Sequence, residues 1–246
     1  MTAPMNVTVA QLTARSLLGR RRALLLAVLP VVLLGLALLV RALQPQDDAV
    51  TSHLLGDFAM ATLLPMLGVI AGTGAIGPEI DDGSIVYLLS KPLSRHSIAT
   101  TKAVVAIGVI TLFGAVPVAL AGLILSGRSA DLALAYGVGA AVAGLGYGAL
   151  FLLLAVVTRH AVVAGLLYAL IWETLVGSFV PGAQTLSVQQ WALAITEKIV
   201  GPAARGLDIT SAVSLGTGVV LLALLVGGAV WAAGHRLRSL RLAGDE

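Results

Sequence analysis

Five stretches of this chain run for 18 residues or more without a charged side chain or a Pro-Gly pair. They lie between Arg22 and Arg41, Asp57 and Glu79, Lys102 and Arg128, Asp131 and Arg159, and Asp208 and His235. A helix needs about 17–25 apolar residues to cross ~30 Å of hydrocarbon, and each stretch reaches that length. A sixth, from Ala161 to Val180, is broken by Glu173 and ends at Pro181-Gly182. Only 11% of the residues are charged and 58% are hydrophobic, against roughly 25% and 45–50% in soluble domains. So few charges cannot cover a water-facing surface. The expected fold is an all-α membrane protein with six transmembrane helices, at about 23–43, 58–78, 103–127, 132–158, 161–180 and 209–234. Residues 1–22 form a separate N-terminal segment, and 23–246 one membrane domain.

Orientation follows from lysines and arginines near the span ends. With six spans, one side holds Arg15, Arg20, Arg21, Arg22, Lys91, Arg95, Lys102, Arg159, Arg236, Arg238 and Arg241, 11 of the 15 basic residues. Both termini and the loop after the second span are therefore expected in the cytoplasm, at a cell (plasma or inner) membrane. No cleavage pattern follows the first apolar run, so it is expected to remain as a span. Residues 7–22 read either as an interfacial helix, with Val9, Leu12 and Leu17 toward lipid and arginines at the headgroups, or as a basic anchor for the first span. The 181–211 segment is expected as short helices at the outer interface, with Trp191 at headgroup level.

Several chemistries are excluded or discounted. There is no cysteine, so no disulfide or thiolate site exists. Gly72-Thr73-Gly74-Ala75-Ile76-Gly77 fits a dinucleotide fingerprint by letter, but it ends an apolar span instead of linking a strand to a helix. None of the three lysines follows a glycine, so no Walker A loop is present. The four histidines are scattered, which gives no metal cluster; no cofactor and no nucleic-acid partner are expected for this chain. Gly68/Gly72 and Gly144/Gly148 repeat at small-xxx-small spacing and are expected to let helices approach closely. Glu173 lies inside a span, about 18 Å in from Ala161. A carboxylate there belongs in the bundle or dimer interior, lining a cavity or hydrogen-bonded to a neighbouring helix.

The remaining feature is the polar stretch after the second span, Glu79 to Arg95. Asp81, Asp82 and Ser84 are suited to cap a helix. Ile85, Val86, Leu88 and Leu89 fit about two turns with an exposed apolar face, Pro92 stops them, and Ser94 caps the third span. This is either a rigid knob for a partner or an ordinary connecting loop.

At these residues the chain resembles the membrane subunits of type-2 ABC exporters. The resemblance rests on Glu79, Gly83-Ser84, Leu88-Leu89-Ser90, Pro92-Leu93-Ser94-Arg95 and Lys102. It rests further on Tyr168, Trp172-Glu173, Val180-Pro181-Gly182, Leu186-Ser187 and Gln190-Trp191. It implies a permease that has no catalysis of its own. An ATP-binding subunit, which carries ATP and magnesium, would dock on a coupling helix at residues 83–95. Glu79, Asp82, Gly83, Ser84, Leu88, Leu89, Lys91, Pro92, Ser94 and Arg95 would form that ATPase-coupling site. A second copy or paralogue would complete the substrate path, with Glu173 and the 181–211 segment, as short re-entrant or interfacial helices, closing its outer half. The competing readings are a self-sufficient secondary transporter, which calls for polar residues paired at mid-membrane, and a non-transporting membrane or immunity protein.

Overall fold

The computed structural model describes residues 5–43, 48–90, 93–126, 130–176, 182–207 and 209–239. Among them the chain is helical, with no strand. Five helices are long and apolar enough to cross a membrane: α2, Arg20–Leu43; α3, Ala49–Asp81; α5, Arg95–Ser126; α6, Ala130–Val157; and α9, which crosses over Leu215–Arg238. The expected fifth span appears as α7, Ala161–Leu167, continued by a π-helical stretch, Tyr168–Val176; residues 177–180 of that span lie outside the described ones. Three shorter α-helices, α1, Val7–Leu17, α4, Ile85–Leu89, and α8, Val188–Val200, are accompanied among the described residues by 3₁₀ turns at Ala183–Leu186 and Gly201–Leu207.

Spans α3 and α5 are not regular α-helices throughout. π-helical turns run over Leu54–Leu63 and Val69–Thr73 in α3, and over Thr111–Ala115 in α5. Pro65 and Pro117 each follow closely on one of them. A proline has no N–H to give and its ring crowds the carbonyl four residues back, so a widened turn just before it relieves both conflicts without ending the span.

Helix α6 is the centre of the bundle. Its glycines are where the other helices touch it. A Cβ on Gly144 or Gly148 would meet Ile110 or Ile107 of α5, at 3.1 and 2.7 Å. On the opposing span α3, a Cβ on Gly68 or Gly72 would strike Tyr147 and Phe151 of α6, each at 2.7 Å. Both predicted small-residue pairs are thus helix contacts. In lipid there is no hydrophobic drive between helices, so this closeness supplies the dispersion contact that holds them.

The two ends of the bundle are distinct. Helix α1 lies at one, called proximal here, where Arg22 Nη1 donates to the carbonyl of Gly74 (3.3 Å). The tail of α9 returns to the same end, since a Cβ on Gly234 would overlap the His96 ring. At the distal end Arg41 Nη1 donates to the carbonyl of Leu125 (3.2 Å), joining α2 to α5.

Two expectations about surface position are corrected. Val9 and Leu17 do not face lipid. They are buried against the bundle with Thr13, and of the three named residues only Leu12 is exposed. The helix also stops at Leu17, and Arg20 to Arg22 open α2 instead. Trp191 is 5% exposed and packs on Gly218 of α9 instead of facing outward. Its indole N–H donates to the Thr185 carbonyl (2.8 Å).

Candidate functional site

The proximal end gathers the motif residues of the Glu79–Arg95 stretch. Helix α3 ends at Asp81, and Gly83 turns the chain with φ +70, a conformation that L side chains rarely adopt. Helix α4 follows, one turn and a half instead of the two expected. Ser84 stands at its N-cap position but makes no capping bond; its hydroxyl reaches the Glu79 carbonyl (3.5 Å). Ile85 is buried and anchors α4 from behind, while Leu88 is half-buried. The exposed apolar surface is therefore Val86 and Tyr87, the latter 78% exposed. Tyr87 was not among the residues singled out from sequence, although an aromatic in a polar connection was the available signal. Asp82 is exposed. Lys91, Pro92 and the Leu89 side chain lie outside the described residues. Ser94 does cap α5, accepting from the Ser97 N–H (3.1 Å), and Arg95 opens that helix half-buried.

Behind α4 sits a charge cluster that fixes its base. Lys102 is fully buried, yet its ammonium donates to Glu79 Oε1 (2.7 Å), the Ala75 carbonyl (2.8 Å) and Thr13 Oγ1 (3.3 Å). Three donors meet three acceptors, so the buried cation is fully satisfied. The cluster ties together α1, the end of α3 and the first turns of α5. Asn6 adds a second tie, its backbone N–H donating to Thr101 Oγ1 (3.1 Å) while its side chain caps α1. The Glu79 side chain is 30% exposed, and its second oxygen is buried without a hydrogen-bond partner among the described residues. Between α1 and α4 a cavity of about 290 Å³ opens over this pair, lined by Leu12, Tyr87 and Leu88 among others. Glu79 and Lys102 thus bracket the predicted motif in sequence and close it in space.

Glu173 belongs to a separate cluster. Helix α8 runs antiparallel to α6, with Val188 against Gly146 and Thr196 against Gly139. Gly146 lies about 24 Å along α6 from Ala130 at ~1.5 Å per residue, so α8 begins deep in the bundle and rises toward the distal end. It is a re-entrant helix, not one lying on the interface. The N–H groups of its first turn have no intrahelical partner and no water at that depth. Ser187 Oγ accepts from the Gln190 N–H (3.3 Å), and Glu173 Oε1 accepts from the Val188 N–H (3.1 Å). Glu173 also accepts from the hydroxyls of Ser187 and Tyr168. A carboxylate at a helix N-terminus is favoured by the helix dipole. Tyr168, Phe151 and Tyr147 pack as an aromatic wall beside it.

Among the described residues no group of three or more His, Cys, Asp or Glu could hold a metal ion. The proximal arrangement is an exposed apolar tip on a fixed base; the Glu173 cluster caps the first turn of α8. No curated protein matches the chain significantly. The family model described as "ABC-2 family transporter protein" matches residues 2–198, which include both clusters and α1 through most of α8. The chain belongs to this family of ABC-2 transporter permeases, whose members are multi-pass membrane proteins.

Proposed function

We propose that this chain is the membrane-spanning subunit of an ATP-driven exporter, with α4 as the contact for a separate ATP-binding subunit. Two permease subunits, identical or paralogous, enclose the path. The proximal end is cytoplasmic on this reading, because the basic residues concentrate there, and the membrane is the cell membrane. ATP and magnesium are held by the partner. The observation that carries the proposal is the form of α4: an exposed Val86–Tyr87 tip on a base pinned by Ile85 and by the Lys102–Glu79 pair. A tip that is free in front and rigid behind transmits a push to α3 and α5. A solvated loop absorbs it.

The test replaces the tip without touching its base. Val86→Asp with Tyr87→Asp changes two exposed side chains and leaves the membrane bundle as it is. In cells expressing the chain with its ATPase, the variant should insert normally, and the co-purified ATPase should fall at least about tenfold, as expected when an apolar anchor is lost. An unchanged yield of co-purified ATPase would remove α4 as the docking element.

A further inference from the structure

A second proximal cavity, of about 490 Å³, lies between α2, the end of α3 and the turn joining α6 to α7. It plays no part in the docking surface. Its character changes along the membrane normal. Arg22, at the start of α2, and Arg159, in the turn before α7, line its proximal end. About one turn deeper its wall is Leu25, Val162 and Val163, each more than half exposed. Basic at headgroup level and apolar below, the cavity has the polarity profile of an amphiphile.

Charge decides which amphiphile. Among the described residues neither guanidinium makes an ion pair. Arg22 spends one N–H on the Gly74 carbonyl. The cavity has one carboxylate, Asp81, against these two arginines. An unneutralised excess of positive charge beside a hydrocarbon wall attracts anionic headgroups. A second copy of the chain fits less well. A two-fold interface sets the same patch against itself, and each copy would bring the same basic excess to the other.

We infer that this cavity holds one anionic phospholipid of the proximal leaflet, its phosphate between Arg22 and Arg159 and an acyl chain along Leu25, Val162 and Val163. The lipid bridges α2 and α7 at the level where both enter the membrane. The inference requires only that the chain lies in a bilayer, and it stands apart from the docking of an ATPase.

The test is native mass spectrometry and thermal unfolding of the purified chain in mild detergent, supplied with phosphatidylglycerol, phosphatidylcholine or inorganic phosphate. Wild-type chain should retain one phosphatidylglycerol and be stabilised by it, and should release phosphatidylcholine. Arg22→Gln with Arg159→Gln should lower retention roughly tenfold or more, the effect of two arginines near a charged headgroup. Arg20→Gln with Arg21→Gln removes the same charge from neighbouring exposed positions and should leave retention unchanged. Val163→Trp fills the apolar wall with the charges intact and should also expel the lipid, which keeps the inference open to refutation if the arginine variant fails to fold. Equal loss in both arginine pairs, or equal retention of phosphatidylcholine, would reduce the effect to general surface attraction and overturn the site. Stabilisation by inorganic phosphate equal to that by phosphatidylglycerol would overturn the lipid in favour of a free-anion site.

Discussion

Among the described residues, Glu79 and Glu173 are carboxylates held between helices and satisfied in opposite ways. Glu79 is paired with a buried cation, is partly open to solvent and keeps one oxygen without a partner. Glu173 is 4% exposed and takes neutral donors only: two hydroxyls and a backbone N–H. Each pins a short helix to a span, α1 in the first case and α8 in the second. The first pin joins three pieces of chain, α1, the end of α3 and the start of α5, through one ammonium. The second, together with the Ser187 hydroxyl, closes the first turn of α8. An ion pair at a partly hydrated boundary can be strained and re-formed, whereas a cap buried in hydrocarbon is made once. This difference is what the proposed coupling role asks for: a proximal pin that can yield, and a cap within the bundle that stays closed.

The largest expected effect is at the Glu173 pin. Glu173→Leu leaves the Val188 N–H and the hydroxyls of Ser187 and Tyr168 without their acceptor at a depth that water does not reach. Each buried orphan costs about 1–3 kcal/mol, so a loss of roughly 3–5 kcal/mol is expected, at the upper end for a single substitution. Glu173→Gln retains a carbonyl oxygen for Val188 and should lose only about 1 kcal/mol. Thermal unfolding of the three proteins in one detergent measures both. If the glutamine variant falls as far as the leucine variant, charge is what matters at this position and the capping reading fails.

The proximal pin should respond less, and in a coupled way. Lys102→Met strands Glu79 beside apolar neighbours. Breaking a fully buried pair costs about 3–5 kcal/mol; the partial exposure of Glu79 lets water take up part of the loss, so roughly 2 kcal/mol is expected. Adding Glu79→Gln should restore part of it, because the stranded charge is then gone. A double mutant no more stable than Lys102→Met alone would show that the ammonium acts through Thr13 and Ala75 and not through Glu79.

The sequence disclosed these regions unequally. Lipid allows few charges, so the charge-free runs gave the spans almost directly, and Gly68/Gly72 and Gly144/Gly148 marked true contacts. The N-terminal helix was legible as amphipathic, but its pattern is the same whether the apolar face meets lipid or protein. Only the bundle decides that Val9 and Leu17 turn inward. The pairing of Lys102 with Glu79 joins residues on different helices, which no local periodicity reports. The depth of α8 was left open between a re-entrant and an interfacial form for a related reason. Its polar groups look like those of an interfacial segment until Glu173, on the preceding span, satisfies its first turn. The burial of Trp191 depends on the same contact between helices.

The smallest effects separate the two regions by packing alone. Gly146 faces Val188 at the base of α8, and a Cβ there would lie 2.6 Å from Val188 Cγ1 and 3.2 Å from Leu222 Cδ1. Gly74 faces the end of Leu17 under α1, at 3.0 Å from Cδ2, with Arg22 Nη1 farther off at 3.9 Å. Replacing either by alanine gains about 0.5–1 kcal/mol of backbone entropy. At Gly146 the β-branched Val188 is held at the capped start of α8 and cannot withdraw, so overpacking of about 1–3 kcal/mol should prevail and lower the unfolding temperature. At Gly74 the leucine terminus can rotate, and the two terms should nearly cancel. A Gly74→Ala variant destabilised as much as Gly146→Ala would mean that α1 is seated as rigidly as α8, and the contrast between a yielding proximal clamp and a fixed distal cap would not hold.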